Sequence, residues 1–227
     1  MAKKVTTSNT QESIEGVQEM YTKTEMFFEK NKKGFAIGAG VIALLIGGFF
    51  AYNKFYKEPR ELESSNQIWK SEFYFEKDSL DRAINGDDNY MGFDEISKSY
   101  NGAKSAELAN YYLGISYLKK GEYELAINYL EKTSLEDEIV GAMAKGATGD
   151  AYVELGEYEK AIAAFEKAYS HSKNIYTTPM FLKKVGLVYE EVGKKDKALE
   201  SYKRIKDDYP TSAEASDIEK YMARVGG

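Results

Sequence analysis

The sequence predicts an all-α protein in which one transmembrane helix is followed by an α-solenoid. Three observations carry this prediction. Residues 34–52 are 19 consecutive uncharged residues, residues 107–205 contain three similar segments, and the 227-residue chain has only three prolines. Few prolines favour long helices over a turn-rich β architecture. Similar segments that recur every 35 to 37 residues are typical of stacked helical repeats.

The uncharged segment, Gly34–Tyr52, reads GFAIGAGVIALLIGGFFAY. As a helix it would be about 28 Å long, close to the thickness of a bilayer's hydrocarbon core. A cleaved signal peptide and a buried core helix are the alternatives. The 33-residue leader is long for a signal peptide, and no small-x-small cleavage site ends the run. We therefore predict a retained single span. The basic residues within 30–33 favour a cytoplasmic N-terminus, although the basic residues that follow the span nearly match them in number.

Small residues recur at four-residue spacing along the span, which lets a second membrane helix approach closely. Glycine and alanine are also common in membrane helices that have no partner, so both interpretations stay open. The candidate contact residues are Gly34, Gly38, Gly40, Ala43 and Gly47.

The N-terminal tail, residues 1–33, contains apolar residues at helical spacing between Glu12 and Lys30. Ile14, Val17 and Tyr21 would share one face of an amphipathic helix. This helix either lies on the membrane surface and leads into the span or docks on a cytoplasmic partner.

Three segments, 107–133, 142–168 and 179–205, align without gaps and each predicts a pair of helices. Glycine recurs inside the first helix, where a side chain would push the neighbouring helix away, and at its end, where a positive φ favours glycine. The second helix carries alanine at its crossing point and a large residue four positions later. The inner glycines are Gly114, Gly149 and Gly186, the terminal ones Gly121, Gly156 and Gly193, the alanines Ala126, Ala161 and Ala198, and the large residues Leu130, Phe165 and Tyr202.

These motifs resemble tetratricopeptide (TPR) repeats, whose period is 34 residues. The resemblance implies about three full helix-turn-helix repeats over 106–210. A degenerate helix pair before them and a capping helix after them would protect the ends of the array. The remaining boundaries are a linker at 53–60, the degenerate pair at 61–105 (a helix Glu61–Asn85, a turn at 86–89 and a short helix Gly92–Tyr100) and the capping helix at 211–227.

The whole layout resembles the membrane-anchored, TPR-like ancillary subunit of the bacterial Sec translocon. The leader ending FFEKNKKG, the stretch FEKDSLDRAINGDDNYMGFDEI and the segment SAELANYYLGISYLKKGEYELAI carry this resemblance. It implies the bacterial inner membrane, a cytoplasmic N-terminus, a periplasmic repeat domain, and partners among translocon subunits, periplasmic chaperones and their clients.

Composition disfavours catalysis. The chain has no cysteine, and His171, its one histidine, is predicted to be a solvated loop residue. Disulfides, thiolate chemistry and histidine-based metal clusters are therefore excluded. A net charge of −6 disfavours nucleic acid as a partner. Asp150 has no second carboxylate placed to form a catalytic pair, so we predict no catalytic residue, metal or cofactor.

The resemblance to TPR repeats implies that positions 2, 5, 9 and 12 of each first helix face a concave groove. TPR proteins that clamp a peptide carboxylate use Lys and Asn at positions 5 and 9, but Tyr111 and Ile115 stand there in the first repeat and Leu187 replaces Asn in the third. An apolar extended or helical segment suits this groove better. The groove positions are Leu108, Tyr111, Ile115, Leu118, Met143, Gly146, Asp150, Val153, Met180, Lys183, Leu187 and Glu190.

The sequence therefore favours a non-enzymatic, membrane-anchored adaptor for protein partners. A scaffold for envelope or outer-membrane assembly and a structural homo-oligomer are the alternatives. A competing interpretation, in which the long C-terminal helix folds back and fills the groove, stays open.

Overall fold

The computed structural model describes the backbone of residues 6–227 and the side chains of residues 25–27 and 29–227. The chain divides into two compact units, 1–58 and 59–227. The first unit is helix α1 (Thr6–Tyr52) and a π-helical turn, Asn53–Lys57, so the segment predicted as a linker is helical. The side chains Ile14, Val17 and Tyr21, on which the predicted amphipathic face depends, lie outside the described residues.

The apolar segment within α1 leaves its side chains exposed in this chain. Ile37, Leu44 and Phe49 are 68%, 78% and 64% exposed. The helix is long and apolar enough to cross a membrane, with a mean hydropathy of 2.2 in its most apolar part. A membrane anchor and a signal sequence share this length and composition.

The second unit begins with α2 (Glu58–Glu76), α3 (Leu80–Asn85), a two-stranded antiparallel hairpin and α4 (Phe93–Ser99). The prediction of one helix over Glu61–Asn85 is wrong, because the chain turns between α2 and α3. Asp78 takes a left-handed conformation with φ 54°, which short polar residues tolerate better than most. The turn places Ala83 of α3 in the same core cluster as Ile68 of α2.

The hairpin, β1 (Gly86–Asp87) and β2 (Tyr90–Met91), occupies the predicted turn. Aromatic rings join this N-terminal part to the first repeat. The rings of Phe93 and Tyr112 stack with centroids 4.9 Å apart, and Phe75 of α2 packs edge-on against Tyr112 at 5.0 Å.

Three helix pairs follow, and they confirm the predicted repeats. Gly121, Gly156 and Gly193 end the first helix of each pair with φ of 77°, 72° and 74°. The pairs are α5 (Lys104–Lys119) with α6 (Tyr123–Glu131), α7 (Val140–Glu154) with α8 (Tyr158–His171), and α9 (Thr177–Glu191) with α10 (Lys195–Asp208).

The two helices of each pair meet at the inner glycine, as the sequence predicts. A Cβ at each of these glycines would collide with the large residue of the second helix. The distances would be 2.4 Å from Gly114 to Leu130, 2.6 Å from Gly149 to Phe165 and 2.4 Å from Gly186 to Tyr202. The glycines therefore set how closely the paired helices pack.

The chain ends with a 3₁₀ turn (Glu214–Asp217) and α11 (Ile218–Arg224). The capping helix is thus shorter than the predicted 211–227. The Ser212 hydroxyl accepts a hydrogen bond from the Ala215 amide at 3.3 Å, and such local bonds compete with a regular helix. Ile218, 1% exposed, joins the core cluster of the second and third repeats.

Candidate functional site

The first helices of neighbouring repeats contact one another, and the predicted groove positions lie along these contacts. A Cβ at Gly146 of α7 would stand 1.9 Å from the Phe181 ring of α9. Gly146 is therefore buried beneath that ring and offers no surface to a ligand, contrary to its predicted place in the groove. Its role is to let α7 and α9 approach each other.

Helix α5 carries an unbroken set of apolar groove side chains. Leu108, Tyr111, Ile115 and Leu118 are all half-buried. The last three pack against a core cluster that includes small residues of α7. Their inner parts therefore join the first and second repeats, and their outer parts form an apolar surface.

Helix α7 contributes Met143, Asp150 and Val153, all half-buried. The Nζ of Lys184 on α9 donates to both carboxylate oxygens of Asp150 at 2.7 Å. Burial raises the pKa of Asp150, and the positive charge of Lys184 acts in the opposite direction. This ion pair ties the second repeat to the third. The groove pattern did not reveal Lys184 because the residue stands one position beyond Lys183.

Helix α9 contributes Met180, Lys183, Leu187 and Glu190. Leu187 is 40% exposed and Met180 half-buried. The Nζ of Lys183 is 2.7 Å from a carboxylate oxygen of Asp217 and 4.4 Å from the centroid of the Tyr221 ring. The ammonium group of Lys183 thus already has partners in the C-terminal segment.

Glu190 is held by the same segment. Arg224 donates to both of its carboxylate oxygens, at 2.7 and 2.8 Å, and the buried hydroxyl of Tyr202 donates at 2.5 Å. Burial opposes ionisation of Glu190, but these donors and the charge of Arg224 outweigh it, so the pKa of Glu190 is lowered. The carboxylate is therefore a structural partner of α11.

Comparison with known proteins identifies the family of repeats to which the helix pairs belong. A family model described as tetratricopeptide repeat matches residues 111–174 and again 147–213. These segments consist of TPR repeats. Among solved structures, the crystal structure of MamA has the same fold, with 23% identity, a TM-score of 0.50, and coverage of 68% of this chain and 91% of that one. No curated protein sequence matches the chain.

An ion pair joins the second TPR repeat to the third, and another joins the third repeat to the C-terminal segment. Asp150 pairs with Lys184, and Glu190 pairs with Arg224, each 34 residues further along the chain. Helix α11 packs against α10, and its side chains Tyr221 and Arg224 reach Lys183 and Glu190 of α9. It covers the charged groove residues of the third repeat and leaves the apolar residues of α5 at the other end of the array.

His171 has a structural place between the first and second TPR repeats. It is the last residue of α8 and is half-buried, not the solvated loop residue that the sequence predicted. A Cβ at Gly141 would be 2.4 Å from its Nε2 atom, and that nitrogen lies 3.0 Å from the backbone oxygen of Asp137. The imidazole therefore packs against the segment that joins the first TPR repeat to α7.

Proposed function

We propose that this chain is a non-enzymatic adaptor whose TPR repeats bind an apolar protein segment at the inner face of α5 and α7. TPR repeats are protein-interaction modules, and this coarse role follows from the fold. The observation that carries the finer assignment is the run of half-buried apolar side chains on one face of α5, Leu108, Tyr111, Ile115 and Leu118. Such a surface suits an extended or helical segment with several apolar anchors.

A carboxylate clamp is not the basis of this binding. Tyr111 and Ile115 occupy the clamp positions of the first repeat, and Lys183 of the third repeat is paired with Asp217. Burial raises the pKa of Tyr111, so its hydroxyl stays neutral. The charges of Asp150 and Glu190 are already neutralised by Lys184 and Arg224. The groove should therefore select apolar and aromatic groups.

We propose that α1 is a retained membrane anchor that holds the repeats beside a membrane complex. The exposed side chains of Ile37, Leu44 and Phe49 suit a lipid environment. Gly38 and Gly40 have open space where a Cβ would stand, so another membrane helix has access to this face. The complex contacted by α1 would be a multi-helix membrane protein.

The specific complex in this proposal is the bacterial Sec translocon, with the repeats in the periplasm near chaperones or newly exported clients. The sequence resemblance to the ancillary translocon subunit supports it. The likeness to MamA concerns the TPR fold alone.

The test is co-purification of the full chain from membranes, with and without the double substitution Tyr111→Glu and Ile115→Glu. We expect the double variant to lose its protein partners and to keep its helical circular dichroism spectrum. Asn128→Glu, an exposed position on α6, is the matched control and should keep them. Equal recovery of the same partners by the double variant would contradict the groove assignment.

A further inference from the structure

A cleft of about 340 Å³ opens on the outer side of the second repeat, between α6, α7 and α8. Its walls combine apolar groups with three lysines. The lining residues are Leu130, Glu131, Thr133, Lys145, Thr148, Tyr152, Lys160, Ala163, Ala164 and Lys167. A cleft of this volume is at the lower end of the range for small-molecule sites.

The cleft lies away from the proposed groove. Lys145, Thr148 and Tyr152 share one face of α7, at spacings of three and four residues, and this face points towards α6 and α8. The groove residues Met143 and Asp150 are on the other side of the same helix. Binding in the cleft and binding in the groove are therefore separable.

The cleft lies where the second repeat has polar residues at two positions that are apolar core residues in the third repeat. Residues 142–168 align with 179–205, so Lys145 corresponds to Leu182 and Thr148 to Val185. Leu182 and Val185 are 0% and 1% exposed and fill the equivalent space of the third repeat. The shape of the repeat thus allows an apolar core here, and the second repeat departs from it.

The first repeat shows what a polar residue does at this position when it has a protein partner. Asn110 corresponds to Lys145, and its Oδ1 accepts a hydrogen bond from the Ser97 hydroxyl at 2.7 Å. The Nζ of Lys145 donates a hydrogen bond to the backbone oxygen of Gly141, at 3.3 Å. Among the described residues, no carboxylate lies within 4.0 Å of that ammonium.

The charges around the cleft are arranged for an anion. Burial and the nearby charge of Lys167 lower the pKa of Lys145, so the two ammonium groups repel each other. Lys160 lies over the Tyr152 ring at 5.3 Å, and Glu131 is the one carboxylate in the lining. Lys160 is already paired with Glu157 at 2.5 Å. Lys145 and Lys167 against Glu131 therefore leave an excess of one positive charge, which a bound anion would offset.

We propose that this cleft binds a carboxylate carried on a short apolar group, with Lys145 and Lys167 holding the carboxylate. Leu130, Ala163 and Ala164 supply an apolar wall. An inorganic anion would not cover this wall, so it would stay in contact with water. An apolar group attached to the carboxylate would cover it. The carboxylate belongs either to a free small acid or to the C-terminus of a partner protein. Both present the same chemistry to the cleft.

The test is a methyl NMR titration of the full chain in lipid nanodiscs, observing Leu130, Thr148, Ala163 and Ala164. The probes are hexanoate, hexanol, inorganic phosphate, and the peptide acetyl-Ala-Ala-Leu as its free acid and as its amide. We expect hexanoate or the free-acid peptide to shift these methyls with a dissociation constant of about 1 mM. Stronger binding of hexanoate indicates a free acid as the ligand, and stronger binding of the peptide indicates a partner's C-terminus.

The control variant places the third repeat's residues in the second, Lys145→Leu with Thr148→Val. It should fill the cleft and weaken binding at least tenfold. Lys167→Gln, an exposed change on α8, should weaken binding several-fold without any effect on folding. The proposal is overturned if neither carboxylate probe shifts the methyls, if hexanol or phosphate binds as well as hexanoate, or if Lys167→Gln leaves carboxylate binding unchanged.

Discussion

The carboxylate of Glu190 on α9 accepts two hydrogen bonds from the guanidinium of Arg224 on α11, at 2.7 and 2.8 Å. The same carboxylate accepts the hydroxyl of Tyr202, which is 0% exposed. Glu190 thus joins the third TPR repeat to the C-terminal helix and to the buried core. This link, together with the buried Ile218 side chain, attaches the seven-residue α11 to the end of the array.

Replacement of Glu190 by alanine should destabilise the TPR unit by about 1–3 kcal/mol, because a buried hydroxyl and a guanidinium lose their acceptor. The matched control is Glu219→Ala, which removes the exposed ion pair with Lys206 and should cost clearly less than the loss of Glu190, because exposed ion pairs contribute little to stability. Urea unfolding of both variants, followed by circular dichroism, measures the difference. Equal costs would show that the Glu190 link is no stronger than a surface ion pair.

The contribution of Glu190 should depend on pH. Its pKa is lowered below the ordinary value of 4.5 in the folded chain. A carboxylate of this kind stabilises the fold above its unfolded pKa, and the stabilisation disappears as the pH falls through the folded pKa. The free energy of unfolding should therefore be higher for the wild type than for Glu190→Gln at pH 6, and this advantage should shrink below about pH 4.5. A pH-independent advantage would contradict the assignment.

The repeated part of the fold is predictable from sequence because backbone geometry demands particular residues there. Gly121 and Gly156 have positive φ, and Gly114 and Gly149 lie against large side chains. Each requirement leaves glycine at a fixed place in every repeat. The break at Asp78 has no such signal, since an aspartate in a left-handed turn resembles any other polar residue of an amphipathic helix.

The candidate site is only partly predictable for a related reason. Spacing along each first helix identifies which side chains share a face, as it does for Tyr111 and Ile115. The partners of those side chains come from the next repeat. Lys184 and Arg224 stand 34 residues beyond the carboxylates that they neutralise, and only the stacking of the helices brings them together.

The contact between Gly149 and Phe165 gives a third prediction. Gly149→Ala places a Cβ 2.6 Å from the Phe165 ring, and such overpacking typically costs about 1–3 kcal/mol. Phe165→Leu creates space at the same point and is itself destabilising. In a double-mutant cycle, the loss in free energy of unfolding of the double variant should be smaller than the sum of the losses of the two single variants, because the smaller leucine makes room for the new Cβ. Strict additivity would show that the two residues do not limit the packing of α7 on α8.

The proposed anchor gives a fourth prediction. The full-length chain should stay in the membrane fraction after an alkaline wash. Leu44→Arg combined with Leu45→Arg should move it to the soluble fraction, because an arginine at the centre of a span costs about 2.5–3.5 kcal/mol. Leu62→Arg, at a position of α2 that is 65% exposed, is the control and should have no effect. A chain shortened by cleavage after the apolar segment would identify that segment as a signal sequence.

The most direct test of the adaptor account is photo-crosslinking in living cells from Ile115 in the groove and from Ala43 in α1, with the products identified by mass spectrometry. Asn128, on the outer helix of the same repeat, is the control position. The account predicts translocon subunits at Ala43, chaperones or exported clients at Ile115, and no such products at Asn128. Crosslinks only to further copies of this chain at both positions would contradict it and indicate a structural homo-oligomer.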